Sequence, residues 1–166
     1  MKHTHGFRKL AVVLAAACLA AGAAWAQGND DAITREQVVA IVDMAAEAIA
    51  ADAPGTFVKI TSSEHPFVDQ QNPALYVFVY DTDVNMMAHP NKSLPGRNYK
   101  GKPDVRGKAF RDEIVSGAVA NGTGWMDYAY QKPGEAGIFD KTTYYRLTKG
   151  SDGKDYVVTS GMYKSK

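Results

Sequence analysis

The first strong pattern along the chain is a run of apolar residues at helical spacing between positions 34 and 52. These side chains recur three and four residues apart, at Val38, Ile41, Val42, Ala45 and Ile49, as on one face of a helix. Thr34-Arg35-Glu36-Gln37 before them matches a capping box. The pattern predicts a helix of about 18 residues that Pro54-Gly55 ends, and a short second helix over residues 56–64.

A second pattern, rich in β-branched and aromatic residues, predicts strands from residue 75 onward. Residues 75–80 are the strongest strand signal, and Asp81-Thr82-Asp83 predicts a turn into a second strand over residues 84–88. Three more strands are predicted over residues 124–131, 142–148 and 156–162, with a tight turn between the last two. Strands joined by hairpins favour an antiparallel sheet with helices on its faces, so we predict an α+β fold.

Between the two groups of strands lie a long loop and a second amphipathic helix. Residues 90–103 are rich in Gly, Pro and Asn, and loops longer than about 12 residues in compact domains are usually functional or disordered. Residues 108–120 predict a helix that Asn121-Gly122 caps. Its predicted buried stripe consists of Phe110, Ile114, Val115 and Val119.

The first 26 residues predict a secretory signal peptide and therefore a periplasmic location for the rest of the chain. A basic start precedes an apolar run, and Ala24-Trp25-Ala26 is a small-x-small site that predicts cleavage after Ala26. The alternative is a retained membrane anchor, but a spanning helix needs about 20 apolar residues and this run is shorter. We read Cys18 as part of the apolar run, and residues 27–166 as one domain.

Composition then removes several classes of function. The formal net charge is +1, and residues 1–26 hold three of the 19 basic residues and none of the 18 acidic ones. Residues 27–166 contain no cysteine and only two histidines, so we expect no disulfide, no metal site and no cofactor. A near-neutral chain without a basic run argues against nucleic-acid binding. Asp81-Thr82-Asp83 lacks the glycine and glutamate of a calcium loop.

Six residues are candidates for contact with a small anionic ligand. Tyr128 and Tyr130 share one face of their predicted strand by alternation, whereas Trp125 and Asp127 point the other way. Arg111 would bind a carboxylate with two hydrogen bonds or else pair with a neighbouring acid. Proline after His89 orients that imidazole, and each residue also has a purely structural alternative. The predicted ligand-binding residues are His89, Arg111, Trp125, Tyr128, Tyr130 and Lys141.

Several short segments, taken in order, resemble the single Cache domain (type 2) family of extracytoplasmic sensors. No single segment is specific, but their order and spacing match from about residue 34 to residue 163. The segments include Phe67-Val68, Tyr76-Val77-Phe78-Val79-Tyr80-Asp81, His89-Pro90, Gly96-Arg97-Asn98, Phe110-Arg111-Asp112-Glu113-Ile114, Gly124-Trp125, Asp127-Tyr128 and Ser160-Gly161-Met162-Tyr163. The resemblance implies a PAS-like antiparallel sheet, flanked by the long N-terminal helix and a second helix, with a small-molecule pocket.

The resemblance also implies a function, for which three readings are open. The first is a soluble sensor of a short carboxylate such as acetate, propionate, pyruvate or lactate, which passes its signal to a separate membrane receptor, sensor kinase or transporter. The second is a protein–protein interaction module with a vestigial pocket. The third, an enzyme using His89 with Asp127 or Asp83, ranks lowest, so we expect no enzyme. The alanine-rich helix over residues 34–52 allows a homodimer.

Overall fold

A computed structural model describes residues 33–164, so the predicted signal peptide and Cys18 lie outside the described residues. Within them, three helices surround one sheet. The helices are α1 (Arg35–Ala51), α2 (Ala53–Thr61) and α3 (Phe110–Asn121). The strands are β1 (Phe78–Asp81), β2 (Met86–Ala88), β3 (Thr123–Tyr130), β4 (Phe139–Lys149) and β5 (Asp155–Tyr163).

The five strands form one antiparallel sheet in the order β2-β1-β5-β4-β3. The last two strands pair along their length, from Lys141 opposite Tyr163 to Lys149 opposite Asp155, around the predicted tight turn. This arrangement confirms the predicted α+β fold. Among residues 33–164, none of the helices has the length and hydrophobicity needed to cross a membrane.

Helix α1 starts at the predicted capping box. The Gln37 amide donates to Thr34 Oγ1 over 3.2 Å, and the Thr34 amide donates to Gln37 Oε1 over 2.8 Å. The predicted apolar face, from Val38 to Ile49, is buried. Helix α2 begins earlier than predicted, because Asp52 caps it and Pro54 lies in its first turn, where proline is tolerated.

Helix α3 packs on the opposite face of the sheet and corrects one predicted core residue. Phe110, Ile114 and Val115 are buried as predicted, but Val119 is 55% exposed and Ala118 is buried instead. The buried stripe therefore ends at Ala118 and not at Val119. Gly122 ends the helix with a φ of +79°, a backbone conformation that glycine adopts without strain.

The long loop after β2 folds back along that strand. The Met86 amide donates to Arg97 O over 3.0 Å, and the Gly96 amide donates to Met86 O over 2.8 Å. The Tyr99 amide donates to Val84 O over 3.0 Å. These bonds cover the outer edge of β2, which would otherwise present unpaired backbone groups, and they hold the loop over the α3 face of the sheet.

The sheet separates two apolar cores. Helices α1 and α2 pack on one face against Leu75, Val77 and Val79. Helix α3 packs on the other face, where Tyr76, Phe78 and Tyr80 project by strand alternation. The second core is lined mainly by aromatic rings, and it contains the polar groups described next.

Candidate functional site

A small cavity lies within the α3 core, between the sheet, α3 and the loop after β2. The empty space among its walls is about 200 Å³, of which about 10 Å³ can hold the centre of a water molecule. It is lined by Tyr76, Phe78, Tyr80, Met86, His89, Phe110, Tyr128, Tyr130 and Lys141. Six of the nine wall residues are tyrosine or phenylalanine, and the others are one methionine, one histidine and one lysine.

Lys141 brings a positive charge into this aromatic wall. It lies on β4 and is 1% exposed, and its Nζ donates to the Tyr76 hydroxyl over 2.8 Å. The ammonium also lies 4.3 Å from the centroid of the Tyr76 ring and 5.1 Å from that of Phe78, within the range of cation–π attraction. A buried lysine is rare in proteins, and this one lines the cavity.

Three tyrosine hydroxyls of the cavity wall are held in the protonated form by burial. Burial raises the pKa of Tyr76, Tyr80 and Tyr128 well above its usual range. The Tyr76 hydroxyl lies 3.4 Å from the Tyr163 hydroxyl, which donates to Gln131 O over 2.8 Å. This chain of hydrogen bonds connects Lys141 with the segment after β3.

His89 is a neutral hydrogen-bond donor. The residue is 7% exposed, and its Nδ1 accepts from the Asn91 amide over 2.8 Å, so the proton resides on Nε2. Burial, followed by the positive charges of Lys141 and Arg111, lowers the pKa of His89 to about 3. The imidazole therefore presents an uncharged Nε2–H group at neutral pH.

Of the predicted tyrosines, Tyr128 and Tyr130 both line the cavity. The Tyr128 ring stacks on Phe110 with a centroid distance of 3.9 Å, and its hydroxyl lies 3.0 Å from Thr143 Oγ1. Tyr130 stands at the mouth of the cavity and also lines a groove outside it. The structure therefore brings His89, Tyr128, Tyr130 and Lys141 together.

Arg111 lies behind the cavity wall rather than in it. Its guanidinium stacks 4.2 Å from the Phe110 ring centroid and 4.7 Å from that of Tyr99, and Nη1 donates to Lys102 O over 3.3 Å. Its Nε is buried and has no hydrogen-bond partner among the described residues. Arg111 therefore does not line the cavity but reaches its wall through the Phe110 ring, through a side-chain hydrogen bond with Tyr80 and through its charge.

Trp125 does not line the cavity, so the structure does not bring it together with His89, Tyr128 and Lys141. It projects to the α1 face, where the Arg35 guanidinium lies 4.4 Å from its ring centroid and Tyr144 lies 5.3 Å away. Strand alternation puts Trp125 on the face opposite Tyr128. The same alternation places Met86 in the cavity wall, and Met87 packs with the α1 core.

Five wall residues were not among the predicted site residues: Tyr76, Phe78, Tyr80, Met86 and Phe110. The signal for three of them was present in the sequence, because aromatic residues at positions 76, 78 and 80 must share one face of an extended segment. Their position opposite Tyr128 and Tyr130 depends on the order of strands in the sheet, which local patterns do not specify.

A larger groove adjoins the cavity. It offers about 500 Å³ and shares Tyr76, His89 and Tyr130 with the cavity. Its remaining walls come from residues 63–73, from the loop after β2 and from residues 131–133. Among residues 33–164, no group of three or more His, Cys, Asp or Glu side chains is placed to hold a metal ion.

An antiparallel sheet with a small polar cavity on one face, closed by a helix and a long loop, defines a class of small-molecule sensor domains. The chain belongs to the Single Cache domain 2 family, whose family model matches residues 26–165. Related Cache domains serve as sensory domains.

Related proteins include periplasmic and chemosensory sensor domains. It is 35% identical over 89 residues to the sensor histidine kinase MctS of Rhizobium johnstonii, a match that covers 53% of this chain and 18% of the kinase. It is 27% identical to a periplasmic sensor domain of a chemotaxis protein, with a TM-score of 0.63 and coverage of 78% and 94%. A Cache chemosensory domain that recognises carboxylic acids has the same fold, with 23% identity, a TM-score of 0.61 and coverage of 78% and 92%.

Proposed function

We propose that this chain is a periplasmic sensor domain that binds a short carboxylate in the aromatic cavity. The observation that carries the proposal is the buried Lys141 ammonium in the cavity wall, beside a neutral imidazole and protonated tyrosines. Acetate, propionate, pyruvate and lactate have the matching charge and are among the smallest carboxylates. The bound ligand would change how the domain engages a separate membrane receptor, sensor kinase or transporter.

The chemistry of the wall suits a carboxylate better than a cation or a neutral ligand. Lys141 supplies the opposite charge in a region of low dielectric, where the attraction between charges is stronger than in water. His89 supplies an Nε2–H donor, and the Tyr76, Tyr80 and Tyr130 hydroxyls lie on the same wall. A carboxylate accepts several such bonds, and a cation would be repelled by Lys141.

The tightness of the cavity supports a ligand of few atoms. About 10 Å³ for the centre of a water molecule is room for about one water, so even acetate requires some rings to move apart. The carboxylic acids recognised by the Cache chemosensory domain of the same fold support the same ligand class. The proposal includes cleavage of a signal peptide after Ala26 and pairing of two copies through residues 34–52.

Calorimetry on residues 27–166 tests the proposal with acetate, propionate, pyruvate and lactate, and with acetamide and propionamide as uncharged counterparts. We expect Lys141→Met to weaken binding of the acid by about 100-fold, because the buried charge partner is lost. Lys149→Met is the matched control, since Lys149 lies on the same strand and its side chain is 66% exposed. Equal binding of acid and amide, or an unchanged affinity in Lys141→Met, would refute the carboxylate proposal.

The tight packing also supports a second candidate, the interaction module with a vestigial pocket. A cavity with room for about one water would be the remnant of a ligand site filled by its own side chains. Absence of binding to every acid, together with a native mass spectrum of the purified chain that shows no retained small molecule, would favour this candidate over the sensor.

A further inference from the structure

We propose that the groove outside the cavity is the second half of the ligand site and takes the apolar body of a carboxylate longer than four carbons. This inference rests on the proposed function, in which the cavity holds the carboxylate group. It extends the ligand class from acids that fit the cavity alone to straight-chain or aryl acids of about five to eight carbons, a length set by the size of the groove.

The cavity and the groove share part of their walls. Tyr76, His89 and Tyr130 line both spaces, so a ligand whose carboxylate contacts Lys141 and Tyr76 extends between these three side chains into the groove. The groove offers about 500 Å³, which falls within the range of about 300–1,000 Å³ typical of small-molecule sites. The cavity alone is far below that range.

The walls of the groove favour an apolar body. Five of its eleven side chains outside the shared residues are aliphatic or proline, and apolar atoms make up most of its exposed wall; the five are Val68, Pro73, Pro90, Leu94 and Pro133. Proline rings lose almost no side-chain entropy when a ligand covers them, so contact with a hydrocarbon chain is efficient. The groove therefore offers a largely preformed apolar surface next to a polar, charged head site.

The charges near the groove do not favour a second carboxylate on the ligand. Asp69 and Lys132 both line it, with opposite signs. Lys132 already pairs with Glu135, so its charge is balanced within the same segment. A dicarboxylate would therefore gain no net attraction from the groove, whereas a hydrocarbon or aryl group gains contact area.

Calorimetry with straight-chain acids from acetate to octanoate, on residues 27–166, tests this inference. Since each buried methylene contributes about 0.8 kcal/mol, we expect the affinity to rise about fourfold per carbon beyond butanoate. Hexanamide and octanamide are titrated beside the acids, which separates the contribution of the groove from that of the carboxylate.

Two groove variants make the test specific. Leu94→Gln places a polar group in the apolar wall, and Gln70→Trp narrows the groove from an exposed position. Both should weaken octanoate binding at least tenfold and leave acetate binding unchanged. Val105→Gln is the matched control, because Val105 is 71% exposed and does not line the groove. Thermal unfolding of each variant confirms that the fold is retained.

The possible results separate the two proposals. If acetate binds but affinity does not rise with chain length, or if the groove variants weaken acetate and octanoate alike, the groove inference is wrong and the carboxylate proposal stands. If amides and acids bind equally well and both improve with length, the groove is a binding site but the carboxylate proposal is wrong. If no acid of any length binds, both are wrong.

Discussion

His89 and Lys141 show how a buried positive charge affects the protonation state of a neighbouring side chain. A buried ammonium makes a second positive charge in the same wall unfavourable, and the Asn91 amide already occupies Nδ1 of the imidazole. His89 therefore folds as a neutral ring with a pKa of about 3. An unfolded histidine has a pKa of about 6.5, so folding and protonation of this residue are coupled.

The stability of the protein should fall in acid because of His89. Between pH 6.5 and about 3 the unfolded chain binds a proton at this residue and the folded chain does not. The contribution of His89 to the free energy of unfolding is fully present above pH 6.5. It is lost as the pH falls, at up to about 1.4 kcal/mol per pH unit. Urea unfolding at pH 7, 6 and 5 measures the slope.

The variant His89→Asn isolates this effect, because its side-chain oxygen can still accept from the Asn91 amide but does not titrate. We expect a smaller loss of stability between pH 6.5 and 4.5 in the variant. The carboxyl groups whose pKa is lowered, at Glu36, Asp104, Asp127 and Asp152, lose their contribution below about pH 4.5, the usual range of glutamate and aspartate. Parallel slopes in the two proteins would contradict the assignment to His89.

The hydrogen bond between Tyr128 and Thr143 should stabilise the wall of the cavity measurably. Both residues are buried, and their hydroxyls lie 3.0 Å apart. Tyr128→Phe and Thr143→Val each leave one buried hydroxyl without this partner, which costs about 1–3 kcal/mol. The double variant should cost less than the sum of the two, and denaturant unfolding of all four proteins gives the coupling energy. Strict additivity would mean that the bond contributes nothing.

At the scale of single residues, the sequence predicted the chemical character of the cavity wall better than the position of each side chain. Four of the six predicted ligand residues lie around the cavity, since charged and aromatic side chains in this order point to a polar pocket. Trp125 does not, because alternation along β3 sends it to the α1 face. Arg111 lies behind Phe110. Its distance from the cavity depends on how α3 packs on the sheet, and residue spacing along the chain does not encode that packing.

At the scale of elements, helix α3 approaches the sheet closely because two glycines face one tyrosine. A Cβ atom added at Gly117 of α3 would lie 2.5 Å from the Tyr145 hydroxyl and 3.1 Å from its Cζ. A Cβ atom added at Gly124 of β3 would lie 2.5 Å from the same Cζ. The Tyr145 ring therefore packs where either side chain would be, and both positions restrict the distance between helix and sheet.

Alanine at Gly117 should destabilise the protein, although alanine in a helix interior is normally favoured over glycine by about 1 kcal/mol. The clash with Tyr145 should cost about 1–3 kcal/mol. Tyr145→Phe removes the hydroxyl and should recover much of the loss in Gly117→Ala. It should recover little in Gly124→Ala, because the ring carbon itself obstructs that position. Thermal unfolding of the single and double variants measures this, and equal recovery at both glycines would refute it.

The boundaries of elements were predictable where local chemistry decides them. The capping box at Thr34 and Gln37 begins α1 as predicted, because both hydrogen bonds are local. The start of α2 was missed. Pro54-Gly55 has the pattern of a helix end, but it lies in the first turn of α2, because Asp52 caps that helix. Val119 was wrongly assigned to the buried stripe, because an apolar residue beside that stripe has the same local pattern.

At the scale of the whole molecule, the sheet keeps the ligand cavity apart from α1. His89 and Lys141 lie on the α3 side, whereas Trp125 and the apolar face of α1 lie on the other. Asp127 bonds Thr142 and Lys164 and does not line the cavity. A change at the cavity can therefore reach α1 through β4 and β5, which contact that helix, or through β2 and α2.

Hydrogen exchange should reveal this division when the proposed ligand binds. A ligand at 100 times its dissociation constant adds about 2.7 kcal/mol of stability, which raises the melting temperature by several degrees in a domain of this size. Amides that exchange by local opening should slow only near the cavity, such as those of Gly96 and Tyr99, which bond the edge of β2. Amides at the N-terminal end of α1 should change little, because no cavity residue touches them. Local protection that appears in α1 and not in the loop after β2 would place the ligand on the wrong face of the sheet and refute the site.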